Sequence, residues 1–127
     1  MLGEIDAIAT VPVKDIKVAK QFYETTLGLT PLPSQQGSAL MYTAGKSRVL
    51  VYQSQYAGTN QATAVTWGLG SGDAVEAMVN TLKAKGVAFE HYDFPGLTRK
   101  GDVHVAGTLK NAWFKDPDGN IHSIVGQ

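Results

Sequence analysis

The chain has 127 residues, with 11 basic and 11 acidic side chains and no cysteine. A single domain of this length can bury enough apolar surface to fold without a metal or disulfide staple. Zero net charge argues against nucleic-acid and anionic-membrane partners, which require a concentrated basic face. The missing thiols exclude disulfides, thiolate zinc sites and a cysteine nucleophile.

The opening MLGEIDAIATV carries acids early and no basic region ahead of a long apolar run, so it does not read as a signal peptide. No stretch approaches ~20 uninterrupted apolar residues, the length needed to span a bilayer. The expectation is a cytoplasmic protein with no membrane partner.

Ile5 to Val13 is apolar and β-branched, which suits a buried strand. Asp15 can cap a helix by accepting from free N–H groups of its first turn. Ile16, Ala19, Phe22, Tyr23 and Leu27 recur at helical spacing up to Gly28, and Pro31 and Pro33 forbid continuation. Ser38–Thr43 and Arg48–Ser54 read as a β-hairpin, Tyr56–Gln61 as a connector and Ala62–Leu69 as a strand. Asp73 is placed to cap a second helix, with Val75, Met78, Val79 and Leu82 on one face and Gly86 at its end. Val87–Tyr92 makes another strand, and Phe94–Gly107, rich in glycine and charge, reads as a loop. Thr108–Lys115 and Ile121–Val125 form a closing hairpin across Asp116–Asn120, where Pro117 presets φ and Gly119 supplies an unusual backbone conformation.

The two halves repeat. Asp15 and Asp73 are 58 residues apart, and so are Gly28 and Gly86. Each half reads strand, helix, then about three strands. A βαβββ unit leaves one sheet face uncovered, so two copies must pack together. The expected fold is therefore α+β: one domain over 1–127, with module one at about 4–57 and module two at about 61–126, forming a curved, barrel-like mixed sheet around a cleft.

The stretch VPVKDIKVAKQFYETTLGL resembles the opening of the vicinal oxygen chelate superfamily, which includes glyoxalases, extradiol dioxygenases, and fosfomycin- and bleomycin-resistance proteins. AWFKDPDGNIHSIV resembles its closing hairpin. The likeness covers nearly the whole chain. For metal-dependent members it implies one divalent ion held by a His on the first strand, a His opening the second half and a Glu on the last strand. Counted from the motifs, those positions are Ile8, Ala64 (Thr66 if the register slips by two) and Ser123. Ile8 and Ala64 have no donor atom, and a neutral Ser hydroxyl is a poor ligand for such ions. No metal or other cofactor is expected.

Side chains alternate along a strand, so if Ser123 faces the cleft then His122 faces helix packing or solvent. His104 falls in the loop before the closing hairpin, where it can reach a ligand, and His91 reads as exposed. Glu4 and Asp6 read as strand-end acids, and Gly68–Gly72 as a strand-to-helix turn lacking the lysine of a phosphate loop.

What the resemblance leaves is a pocket floored by Ile8, Thr10, Ala64, Thr66 and Ser123, with Tyr42, Tyr52, Tyr56, Trp67 and Trp113 available as aromatic walls and His104 as a further ligand contact. No catalytic residue is assigned. The first reading is a metal-free, homodimeric protein similar to the bleomycin-resistance group, binding a small and partly aromatic molecule. The alternative is a glyoxalase- or dioxygenase-like lyase or isomerase with displaced metal ligands, such as His104 with Asp6 or Glu90. A metal-free acid–base enzyme using Asp6 or His104, and a purely structural protein, follow in that order.

Overall fold

The computed structural model describes residues 1–33 and 39–127; Ser38, where the sequence reading begins a strand, lies outside them. The chain forms two compact units: Met1–Ala64 with Pro117–Asn120, and Val65–Asp116 with Ile121–Gln127. The described strands form a four-stranded and a six-stranded sheet and do not close into a barrel. The fold is α+β.

In the first unit, β1 (Ala9–Val13) leads into α1 (Ile16–Lys20), which runs on as π-helical turns over Gln21–Thr26. Asp15 caps α1 as its position suggests: Oδ1 accepts from Lys17 N at 2.9 Å and Val18 N at 3.3 Å. Three strands follow: β2 (Thr30–Pro31), β3 (Ala39–Ala44) and β4 (Ser47–Gln53). β1 lies parallel to β4, and β4–β3–β2 are antiparallel neighbours. The short β2 was not foreseen; Pro31 is tolerated there because β2 is an edge strand.

Val11, Val13, Val49, Val51, Leu40 and Tyr42 are buried with Ala19 and Tyr23 of the helical segment. Tyr42 Oη donates to Glu24 Oε2 at 2.9 Å, and burial first, then Glu24, push its pKa well above the usual phenol value.

The Asp-Pro-Asp-Gly-Asn turn also belongs to this unit from Pro117 on. Asp118 Oδ2 accepts from Lys14 N at 3.1 Å, and Asn120 Nδ2 donates to Pro12 O at 2.7 Å. Gly58 lies directly on the Asp118 carbonyl, with φ at +75°, so both its missing Cβ and its backbone conformation are needed there.

The second unit takes β5 (Thr63–Gly68) from Val65 on, then α2 (Gly72–Ala84), β6 (Phe89–Glu90), β7 (Thr98–Lys100), β8 (Val103–Ala106), β9 (Leu109–Lys115) and β10 (Ile121–Gly126). The strand order is β5-β10-β9-β8-β7, and β6 pairs with the end of β9 that β8 leaves free.

Two expectations are corrected here. The cap of α2 is Ser71, whose Oγ accepts from Ala74 N at 3.2 Å, and not Asp73, which sits in the first turn. The 58-residue spacing therefore survives at the stop glycines, Gly28 at φ +74° and Gly86 at φ +91°, and not at the caps. Residues 94–107 are also not one long loop. Lys100 pairs with Val103 across Gly101-Asp102, making a tight hairpin with Gly101 at φ +61°. Its outer strand, Thr98–Lys100, is exposed and basic, a composition that protects a sheet edge from unwanted pairing and that reads as solvated loop in the sequence.

Gly58→Ala is expected to destabilise the protein by roughly 2–4 kcal/mol, combining a positive-φ penalty with a backbone collision. Urea unfolding measures this; an unchanged midpoint would contradict the close approach.

Candidate functional site

The register of β9 and β10 sorts the second sheet into two faces. Directly opposed residues share a side, so His122 goes with Phe114 and Ile124 with Ala112, whereas Ser123 goes with Trp113. The helix covers the first of these faces. A Cβ on Gly126 would collide with the Ser71 carbonyl at the start of α2, and Gly72 makes room for Lys110, whose Nζ reaches Glu76 Oε1 at 2.8 Å. Val75, Val79 and Leu82 of α2 are buried against that layer.

His122 is wholly buried within it. Its ring stacks on Phe114, with centroids 5.0 Å apart, and lies parallel to the Trp67 indole at 6.1 Å. Trp67 Nε1 donates to His122 Nδ1 at 3.1 Å, which fixes the neutral tautomer with its proton on Nε2. Burial pushes the His122 pKa down from 6.5 to about 4.

The opposite face carries Ser123, Trp113, Asn111, His104 and Glu90, related through the pairings Ser123–Trp113, Asn111–His104 and Glu90–Trp113. Ser123 Oγ donates to Asn111 Oδ1 at 2.8 Å. The segment after β6 crosses this face. Tyr92 N donates to His104 Nε2 at 3.0 Å, and the Tyr92, Phe94 and His104 rings all pack on Trp113, at 5.4, 5.4 and 4.8 Å. His104 is therefore a buried strand residue, not a loop one. Burial and the Glu90 carboxylate raise the Tyr92 pKa, and Lys115 opposes them. Lys115 Nζ pairs with Glu90 Oε1 at 3.4 Å.

The sheet thus brings together Ser123, Trp113 and His104 and puts Trp67 on the other side. Thr66 points away from Trp67 by strand alternation, and Ala64 lies on the same side of β5 as Thr66. In the first unit, Thr10 and Tyr52 share the face turned from α1, since Tyr52 pairs with Pro12 and Thr10 with Leu50. Ile8 is partly exposed just before β1. Ile8 and Asp6 line a surface depression of about 900 Å³ that also includes Lys46 and Arg48. Tyr56 stands exposed on the connector, whereas Tyr42 is core and not a wall. His91 is a surface residue: its Nε2 and Lys83 Nζ both reach Asp102, at 2.8 and 2.6 Å, and the Lys83 bond foremost lowers that carboxyl's pKa.

These residues do not fit a divalent ion at the positions the resemblance implies. Ile8 and Ala64 lack donor atoms, and the Ser123 hydroxyl is neutral and already donated to Asn111. Of the displaced ligands, His104 Nε2 accepts from Tyr92 N and Glu90 pairs with Lys115, while Asp6 lines the depression beside Ile8. Among the described residues, no group of three His, Asp or Glu side chains is arranged to hold a metal.

Sequence reasoning missed Tyr92, Phe94 and Asn111 as members of this face. The available signal was the alternation in Val103-His104-Val105, which marks a strand and sends His104 to one side of it.

The profile of the Glyoxalase/Bleomycin resistance protein/Dioxygenase superfamily matches residues 4–123. Among solved structures, a lactoylglutathione lyase from Agrobacterium tumefaciens aligns at TM-score 0.70 and 15% identity, covering 94% of this chain and 90% of that one. A genomically encoded fosfomycin resistance protein from Listeria monocytogenes aligns at 0.66 and 15%, covering 97% and 90%. A glyoxalase/bleomycin resistance protein from a Streptomyces species aligns at 0.58 and 26%, covering 96% and 99%. No match was found among curated protein sequences.

The depressed His122 pKa has a stability consequence. As pH falls, the unfolded chain takes up the proton near 6.5 while the folded ring resists until about 4. Stability from this group is intact above pH 6.5, declines through the window from 6.5 to 4, and is lower by about 3 kcal/mol at its acid end. In chemical denaturation across that range, His122→Phe is expected to show a shallower decline than the unaltered protein. Equal slopes would mean that His122 titrates normally.

Proposed function

The chain belongs to the glyoxalase/bleomycin resistance protein/dioxygenase superfamily, and from that premise we propose that it binds a small, partly aromatic molecule without a catalytic metal. The observation that carries this reading is the state of Ser123. Where the resemblance calls for a charged ligand, a neutral hydroxyl donates to Asn111 Oδ1 at 2.8 Å, on a sheet face built around Trp113. Such a face can stack a ring and orient it with hydrogen bonds. It offers no strong Lewis base to an ion and no free carboxylate to a proton.

Of the two tryptophans, Trp113 is the ligand contact in this proposal, because Trp67 is spent on His122 in the helix layer. Thr66, His104 and Ser123 of the second unit stay with it. We further propose a cytoplasmic homodimer, following the bleomycin-resistance resemblance and the cysteine-free composition.

Metal analysis and a thermal-shift screen of planar aromatic compounds test this together. The purified protein is expected to hold far less than one divalent ion per chain. A ligand present at 100 times its Kd should raise Tm by roughly 10 °C. A stoichiometric ion whose chelation abolishes ligand binding, or a screen without a single binder, would overturn the reading.

A further inference from the structure

Two buried polar atoms beside Trp113 are unsatisfied. His104 Nε2 accepts from Tyr92 N, so the neutral imidazole carries its proton on Nδ1. That Nδ1 and the Tyr92 Oη are both buried and have no hydrogen-bond partner among the described residues. Burial without a partner is costly, and native proteins rarely keep such atoms without a use for them. The neighbouring polar group on the same face behaves otherwise: Ser123 is bonded to Asn111.

The covering side chain is equally unusual. Phe94 is 49% exposed, yet it stacks on Trp113, which is only 7% exposed. Its ring planes lie 26° from parallel at 5.4 Å, the geometry an aromatic ligand would adopt. Half-exposed already, Phe94 loses little burial by moving away.

We propose that Phe94 is a removable cover over a ligand subsite, in which Trp113 takes a planar ring and Tyr92 Oη–H and His104 Nδ1–H donate to a carbonyl oxygen at that ring's edge. This rests on the small-molecule-binding reading above and specifies the ligand class. Both donors are neutral, and the charges acting on Tyr92 are those of Glu90 and Lys115, which are already paired. A carbonyl oxygen therefore suits the site better than a carboxylate, whose desolvation that pair does not offset.

Fluorenone and fluorene present the same fused ring with and without the carbonyl, and titration against tryptophan fluorescence compares them. Fluorenone is expected to bind about tenfold more tightly. Tyr92→Phe should cut that preference to about threefold. It should also leave Tm unchanged or raise it, because it removes an unpaired buried hydroxyl. Phe94→Ala should tighten both compounds. Equal affinity for the two, no binding of either, a lower Tm in Tyr92→Phe, or weaker binding in Phe94→Ala would each overturn the proposal. Equal affinity would leave small-molecule binding itself standing, whereas only a screen with no binder at all defeats that broader reading.

Discussion

The hydrogen bond from the Trp67 indole to His122 decides which way the last strand faces. It places an imidazole in the layer between α2 and the second sheet, flanked by Phe114 and sealed from water. A strand has period two, so fixing one residue fixes its neighbours. Slipping β10 by one position would expose His122, strand the indole N–H and drive a hydroxyl into the helix layer. With that register set, Ser123 is on the other side, opposite Trp113. The neutral tautomer and the depressed pKa are the electrostatic signature of the same packing.

That register governs what chemistry the opposite face can support. Its polar members among the described residues include the hydroxyls of Ser123 and Thr66, an amide, a phenol and a neutral imidazole, plus one carboxylate already paired with a lysine. Such groups orient a ligand by hydrogen bonds.

Much of the fold was legible because it is written in residues with few conformational options. Asp15, Gly28, Gly86 and the Asp-Pro-Asp-Gly-Asn turn each specify one local geometry, and the apolar periodicity connects them. The elements that escaped notice rely on context. Ser71 outcompetes Asp73 as a cap because α2 begins at Gly72, a choice that both residue types permit. The β7–β8 hairpin hides behind an edge strand of Thr, Arg and Lys, whose polarity serves the sheet edge rather than a loop. At the site, the alternation of His122 and Ser123 could be read from the strand pattern. The partners that Tyr92, Phe94 and Asn111 supply could not, because the 91–97 segment crosses the face without any periodicity that would announce it. The opposed placement of the two tryptophans was likewise hard to see, since each lies on its own strand and the pairing of those strands is not written in either one.

That opposition gives the most direct test of the account. With only two tryptophans in the chain, two indole N–H signals are expected in a proton–nitrogen correlation spectrum, and Trp67→Phe assigns them. Adding an aromatic ligand identified by thermal shift should move the Trp113 signal and leave that of Trp67, locked to His122, in place. A ligand that shifts Trp67 and spares Trp113 would put binding on the helix side and contradict the register on which this account depends.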